Sequence, residues 1–211
     1  MNKKVIIISA FALLLLAGAM VLPIGGTVHS AAQPQQKVQG MDLSSFSSAR
    51  PNRPLRLLFI HHSVGGQLLA DPGPEQNLAD SIHATHPNGG GLRKVLEQQG
   101  YQVHEASYGS VVGEDTDLFD WLPKFQTKMD RILKVSFNDR LLSGDERNDI
   151  VVFKSCYPNN RFASEGQAPG NPAGPELTVW NAKATLTALL AEFQKHPNTL
   201  FMYVTAPPTA S

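Results

Sequence analysis

Four short segments carry the apolar pattern of buried strands, and each is followed by polar or small residues: 55–60, 101–107, 149–153 and 199–204. Segments of this length that are rich in β-branched and aromatic residues predict β-strands. Between the first two, Leu92, Val95 and Leu96 recur at helical spacing, and Gly100 follows where a helix-ending glycine belongs. The order strand, helix, strand predicts a βαβ unit, and such units build parallel sheets.

Two further segments show helical periodicity. Apolar residues recur at helical spacing from 115 to 134, where Pro123 predicts an early turn or a kink, and again from 177 to 195. The aromatic residues Trp121 and Phe125 in the first stripe predict core packing. The polar residues 64–91 predict a surface loop. The Gly- and Pro-rich residues 161–176 predict a long loop that either covers a site or only lies at the surface.

The amino end has the pattern of an export signal. Met1–Lys4 are positively charged, Val5–Leu22 are almost continuously apolar, and the small residues Ser30 and Ala32 fit a cleavage site. We therefore predict a signal peptide over 1–32 and a flexible linker over 33–54. The alternative is an uncleaved membrane anchor, because about 18 apolar residues can just span a bilayer. Either interpretation predicts a folded part outside the cytoplasm, secreted or periplasmic.

Composition limits the remaining choices. The chain has 211 residues, 42% hydrophobic and 17% charged, which predicts one globular domain. Its formal charge of zero gives no reason to expect nucleic acid as a partner, and a membrane is expected only if the leader is kept. Cys156 is the only cysteine, so the fold must hold without an internal disulfide, and a packing thiol is favoured over a nucleophile. The histidines lack ligand spacing with an acidic partner, so no metal or other cofactor is predicted.

Ser63 is the main candidate for chemistry. It follows the first predicted strand directly and precedes the paired glycines Gly65 and Gly66. One interpretation is a turn in which Ser63 caps the next helix. The other is a side chain presented at the carboxyl end of a buried parallel strand, where ligands of α/β proteins bind. Polar groups also follow the second strand, at Gly109, and the third, at 154–160.

In these positions the chain resembles the SGNH (GDSL-like) hydrolases over roughly residues 55–208. Where that family commonly has Gly-Asp-Ser, this chain reads His61-His62-Ser63. Gly109 stands where the family has its second-strand glycine. Asn159, with Asn160 as the alternative, stands where the family has its third-strand asparagine. The resemblance implies a three-layer α/β/α fold with a parallel, flavodoxin-like sheet.

The resemblance also implies roles for these residues. Ser63 would be the nucleophile of a serine esterase, and the oxyanion would be held by the backbone N–H groups of Ser63 and Gly109 and by the side chain of Asn159 or Asn160. Preorganised donors of this kind are each worth about 3–4 kcal/mol when removed.

The general base is the part of the pattern that has no match. The family places it in an Asp-x-x-His motif after a fifth strand, whereas no histidine follows His196 here. We therefore expect the domain at 55–211 to be C-terminally incomplete and to turn over little or no substrate as it stands. His62 is a substitute candidate for the base, with packing against the turn as the competing role. Because neighbouring strand residues face opposite sides, only one of His61 and His62 can face the site.

Two functions follow from this reasoning. The first is an exported serine ester hydrolase that acts on a small-molecule or glycan ester, such as an acetyl group on a carbohydrate. The alternative is a non-catalytic extracytoplasmic protein on the same fold that binds a glycan or another partner at the strand ends and the loop 161–176.

Overall fold

The computed structural model describes residues 49–156 and 161–205. The predicted signal peptide or anchor, the linker up to residue 48, Asn159 and Asn160 lie outside these ranges. In the described part the strands are β1 (Leu55–Ile60), β2 (Asp71–Pro72), β3 (Gln76–Ala79), β4 (Ile82–His86), β5 (Tyr101–Ala106), β6 (Val135–Phe137), β7 (Arg140–Leu141), β8 (Ile150–Lys154) and β9 (Leu200–Val204). The helices are α1 (Val64–Leu69), α2 (Leu92–Gln98), α3 (Trp121–Ile132) and α4 (Val179–Phe193), and a 3₁₀ turn at Leu118–Asp120 leads into α3.

The protein is a mixed α/β structure built on a mostly parallel sheet. Its strand order is β7-β6-β5-β1-β8-β9, and only β7 runs antiparallel to its neighbour. β1 lies in the middle, with Leu57 beside Val103 of β5 on one side and beside Ile150 of β8 on the other. The four predicted strands and their parallel pairing are confirmed.

Helices cover both faces of the sheet. Alternate residues of β1 point to opposite sides, so this strand contributes to a buried cluster on each face. Leu58 and Ile60 pack on the face with α3 and α4, in a buried cluster that includes Trp121, Phe125, Phe153, Leu189, Phe193 and Phe201. Leu57 and Phe59 pack on the other face with α1 and α2, through Leu69, Leu92 and Leu96. Burying one such side chain contributes about 1.5–3 kcal/mol. A two-sided core therefore holds this fold, as expected for a chain with a single cysteine.

The order of the long parallel strands creates a crevice beside β1. The four long strands lie side by side in the order β5-β1-β8-β9. The first of them in the chain, β1, therefore lies between the second and the third. The connection that leaves β1 passes through α1 and α2 on one face, whereas the connection that leaves β8 passes through α4 on the opposite face. Adjacent strands whose connections diverge in this way open a crevice at their carboxyl ends, which is where open α/β sheets bind ligands.

The prediction of a loop over 64–91 was wrong. The segment forms α1 and a second sheet of order β2-β4-β3. β3 and β4 pair antiparallel around a tight turn in which Ser81 has a φ of 56°. These strands are short, and β3 is largely exposed, so they lack the apolar runs that mark buried strands. Paired glycines in α1 also lower its helix propensity, which hides it from sequence reasoning.

The β6–β7 hairpin was not predicted, and the helix that precedes it, α3, is shorter than predicted. Asn138, with a φ of 49°, and Asp139 form the hairpin turn. Within the predicted helix 115–134, α3 occupies Trp121–Ile132. Pro123 lies in the first turn of α3, where a missing backbone N–H costs no helical hydrogen bond, so it marks the early turn and not a kink. Of the helices in the described ranges, none is long and apolar enough to cross a membrane.

Candidate active site at the carboxyl edge of the sheet

Ser63 lies in a strained turn at the end of the central strand. Its backbone has φ 43° and ψ −109°, a region that residues other than glycine rarely adopt. The residue is exposed. It stands at the N-cap position of α1, yet its side chain makes no capping hydrogen bond. The interpretation of Ser63 as a helix cap is therefore not supported, and the residue is exposed at the carboxyl end of β1, where the strand order predicts the crevice.

The paired glycines make this sharp turn sterically feasible. A Cβ at Gly65 would lie 2.4 Å from Cβ of His61, and a Cβ at Gly66 would lie 1.8 Å from the carbonyl oxygen of Ser81. Both separations are far below van der Waals contact. α1 can therefore start directly against β1 and the small sheet only because these two positions lack side chains.

His62 holds a loop and offers Ser63 no free nitrogen. Its Nε2 bonds the carbonyl oxygen of Gly113, and its Nδ1 lies 2.9 Å from Oγ1 of Thr116. Because a carbonyl only accepts, Nε2 carries the proton and Nδ1 accepts from the threonine hydroxyl. The ring also stacks on Tyr108, with ring centroids 3.4 Å apart. Burial lowers the pKa of His62, which keeps the ring neutral.

His61 points to the opposite face, as the alternation along β1 predicts. Its Nε2 lies 3.0 Å from Oε1 of Glu105, and the other carboxylate oxygen of Glu105 contacts the guanidinium of Arg93. Burial, followed by the charges of Lys154 and Arg93, lowers the pKa of His61 to about 3. A neutral His61 thus donates from Nε2 to Glu105, while its buried Nδ1 has no partner in the described part of the chain. Ser63 makes no hydrogen bond to any histidine in the described residues.

Gly109 lies where the resemblance placed it, after β5 and beside the end of β1. It is exposed, its φ is 75°, and a Cβ there would meet nothing within 4 Å. Its N–H donates to the carboxylate of Glu114, so this donor already faces a negatively charged group. The backbone of the same loop is held by Lys124, whose Nζ donates to the carbonyl oxygens of Val112, at 2.9 Å, and Glu114. Burial lowers the pKa of Lys124 to about 8.

Ser155, directly after β8, connects the end of this strand to α3 and to β9. Its Oγ accepts from Nε1 of Trp121 at 2.8 Å and from the hydroxyl of Tyr203 at 3.1 Å. Cys156 is half-buried, and burial together with this thiol raises the pKa of Tyr108 to about 12. Asn159 and Asn160 follow directly but lie outside the described residues, so the third oxyanion donor stays a prediction.

Sequence reasoning proposed Ser63 and Gly109 as site residues and did not name the residues that surround them. Glu114, Thr116 and Tyr108 come from the loop after β5 and carry no local signal of their partners. No group of three His, Cys, Asp or Glu side chains that could hold a metal ion is found in residues 49–156 and 161–205. His83, one of the histidines considered for such a site, bonds Asn77 at 2.5 Å and packs on His86.

No protein-family model, curated protein or solved structure matches this chain. The function of this chain is therefore inferred from the geometry of the carboxyl edge.

Proposed function

We propose that this protein is an exported serine ester hydrolase of the SGNH type, with Ser63 as its nucleophile. The observation that carries the proposal is the combination found at Ser63: an exposed hydroxyl, a strained backbone, and no capping bond, at the end of the central parallel strand. Strained residues persist where the surrounding structure imposes them and often serve function. The lack of side chains at Gly65 and Gly66 shows how this turn is imposed.

In the proposed reaction, Oγ of Ser63 attacks the ester carbonyl carbon and forms a tetrahedral oxyanion. The C–O bond then breaks, the alcohol leaves with a proton, and an acyl-serine remains. Water attacks that acyl group, releases the carboxylic acid and restores the hydroxyl. The N–H groups of Ser63 and Gly109, with Asn159 as the predicted third donor, stabilise the oxyanion. For Gly109 this requires the substrate oxygen to replace the Glu114 carboxylate that its N–H now faces.

A general base must take the proton of Ser63. In the family that the chain resembles this is the histidine of an Asp-x-x-His motif, and no described residue fits that motif. The engagement of both ring nitrogens of His62 argues against that residue as the base. Without a base, acylation by a reactive ester is expected to be faster than deacylation, which accords with the expectation of little turnover. The proposed substrate class is a small-molecule or glycan ester, such as an acetylated sugar.

The second candidate is a non-catalytic binding protein on the same fold. Two observations favour it: neither nitrogen of His62 is free, and the Gly109 donor is bonded to Glu114. In that case the crevice binds its partner without covalent chemistry.

Stopped-flow measurement of p-nitrophenyl acetate cleavage separates the two candidates. The esterase proposal predicts a burst of p-nitrophenol close to one equivalent per protein chain, followed by slow release. Ser63→Ala should abolish the burst, while Ser143→Ala, at an exposed serine of a polar turn, should keep it. A folded wild-type protein that gives no burst would favour the binding protein.

A further inference from the structure

A second recess lies on the α2 side of the sheet. Its volume is about 350 Å³, and neither Ser63 nor Gly109 lines it. Its walls come from α2, from β5 and β6, and from the small β2-β4-β3 sheet. This volume is at the low end of the range for small-molecule sites, about 300–1,000 Å³. The small sheet, which approaches Gly66 through Ser81 and His83, thus has a second role as one wall of this recess.

The deepest polar group of the recess is the carboxylate of Glu105, which is 1% exposed. Its carboxylate is bonded by Nε2 of His61 and contacts the guanidinium of Arg93. Among the described residues, the other hydrogen-bond acceptor of Arg93 is the carbonyl oxygen of Val103, at 3.5 Å. A guanidinium has five N–H donors, so several of them are left to bond water or a ligand in the recess.

The charges around the recess nearly cancel. Asp71, Glu97 and Glu105 supply three carboxylates, and Arg93 and Lys94 supply two cations. A ligand with a net charge would meet groups of both signs within a small space and gain little from either. A neutral ligand with many hydroxyl groups can donate to the carboxylates and accept from the cations at the same time.

Apolar side chains also line the recess, from Leu78, Ala84, Val103 and Phe137. Phe137 lies beside Glu105 in the register of β6 and β5, so apolar and charged groups are next to each other. Leu78 is 58% exposed, the most exposed of the large apolar side chains in the described residues. A lining in which apolar side chains alternate with charged groups suits a ligand that carries both C–H groups and hydroxyls.

We propose that this recess binds a neutral, polyhydroxylated ligand of the size of one sugar ring, either a free sugar or the terminal unit of a glycan. The ring contacts Leu78 and Phe137, and its hydroxyls bond Arg93, which Glu105 holds in place, and the charged groups at the rim. This site is separate from the crevice at Ser63, so it does not depend on the proposed esterase activity.

The test is a titration of the full chain, isotope-labelled for NMR, with methyl glycosides of neutral hexoses and with short neutral oligosaccharides. We expect amide shifts at Ala84, Val103 and Phe137 and none at Ser63 or Gly109. Tighter binding of an oligosaccharide than of its methyl glycoside would identify a glycan end as the source, and equal binding would identify a free sugar. Shifts confined to the Ser63 crevice, or no binding at millimolar sugar, would overturn the proposal.

Rim variants show whether the named groups bind the ligand. Glu105 is buried, so Glu105→Gln could prevent folding. The variants to measure are therefore Glu97→Gln and Lys94→Met, both at exposed positions. Each should weaken sugar binding about tenfold, the usual effect of losing a hydrogen bond to a charged group. Glu165→Gln, in the loop 161–176, is the matched control and should bind normally. Unchanged binding in both rim variants, or tighter binding of glucuronate or glucosamine than of the neutral sugars, would contradict the proposal.

Discussion

Ser63 occupies a backbone conformation in which a Cβ is unfavourable, with φ 43° and ψ −109°. Such a conformation costs about 1–3 kcal/mol for a residue other than glycine. We expect Ser63→Gly to unfold at higher urea concentration than Ser63→Ala, with a free energy of unfolding greater by about 1 kcal/mol after the entropy cost of glycine. Both variants should lose reaction at Ser63. Equal stability of the two variants would mean that the turn is not strained.

Glu114 competes with substrate for the donor at Gly109. Since its carboxylate accepts the Gly109 N–H, Glu114→Ala should free that donor and speed acylation of Ser63 about two- to tenfold, equivalent to a net hydrogen bond of 0.5–1.5 kcal/mol. The rate of the p-nitrophenol burst measures this. Glu176→Ala, at an exposed position elsewhere, is the control and should acylate at the wild-type rate. Slower acylation of Glu114→Ala would assign the carboxylate a supporting role.

For single residues, the sequence predicted the position after a strand better than the hydrogen-bond partners of a side chain. The positions of Ser63 and Gly109 after β1 and β5 could be predicted because each follows a recognisable strand. The partners of His62 were not found, because Gly113 and Thr116 are about fifty positions away and only the fold brings them together. The opposite orientation of His61 followed from strand geometry alone.

Among the elements, α1 depends most directly on single residues. A Cβ at Gly66 would overlap the carbonyl oxygen of Ser81, so α1 and the small sheet would have to separate. We expect Gly66→Ala to lower the free energy of unfolding by about 3 kcal/mol or to prevent folding, in the range of severe steric changes. Urea unfolding followed by circular dichroism measures this effect.

Gly73→Ala is the matched control for that change. The nearest atom to a Cβ at Gly73 lies 3.4 Å away, in Thr85, and its backbone has no left-handed φ. Its stability should therefore stay close to that of the wild type. A tolerated Gly66→Ala, equal to Gly73→Ala, would contradict the close approach of α1 to Ser81.

The elements that could be predicted are those buried on both faces or along a long stripe. β1 and β8 read as apolar runs because helices cover them on both sides. β2, β3 and β4 are short and partly exposed, so they lack the run of apolar residues that marks a buried strand. Their pairing depends on contacts between residues that are distant in sequence. The β6–β7 hairpin is hidden for the same reason.

At the scale of the whole molecule, a buried contact of three side chains links the end of β1 to β5 and α2: His61, directly after β1, Glu105 of β5 and Arg93 of α2. Because the pKa of His61 is about 3 in the folded protein, against about 6.5 in the unfolded chain, the unfolded chain binds one more proton between these values. The free energy of unfolding should therefore fall as the pH falls through this window, with a contribution of up to about 1.4 kcal/mol per pH unit.

His61→Gln isolates that contribution. Glutamine can still donate to Glu105 but does not titrate, so its free energy of unfolding should fall less steeply between about pH 6 and pH 4. Urea unfolding at a series of pH values measures both slopes. Burial also lowers the pKa of His62 and His104, so the variant should keep part of the acid sensitivity. Identical slopes would show that His61 does not stay neutral in the folded protein.

The central claim is that Ser63 is a nucleophile, and its most direct test is covalent labelling with a fluorophosphonate. The labelled residue is identified by intact-mass and peptide mass spectrometry of the folded chain. We predict one phosphonyl adduct, on Ser63, that is absent in Ser63→Ala and retained in Ser143→Ala. A folded protein that forms no adduct at Ser63 would contradict the claim and leave the crevice as a binding site.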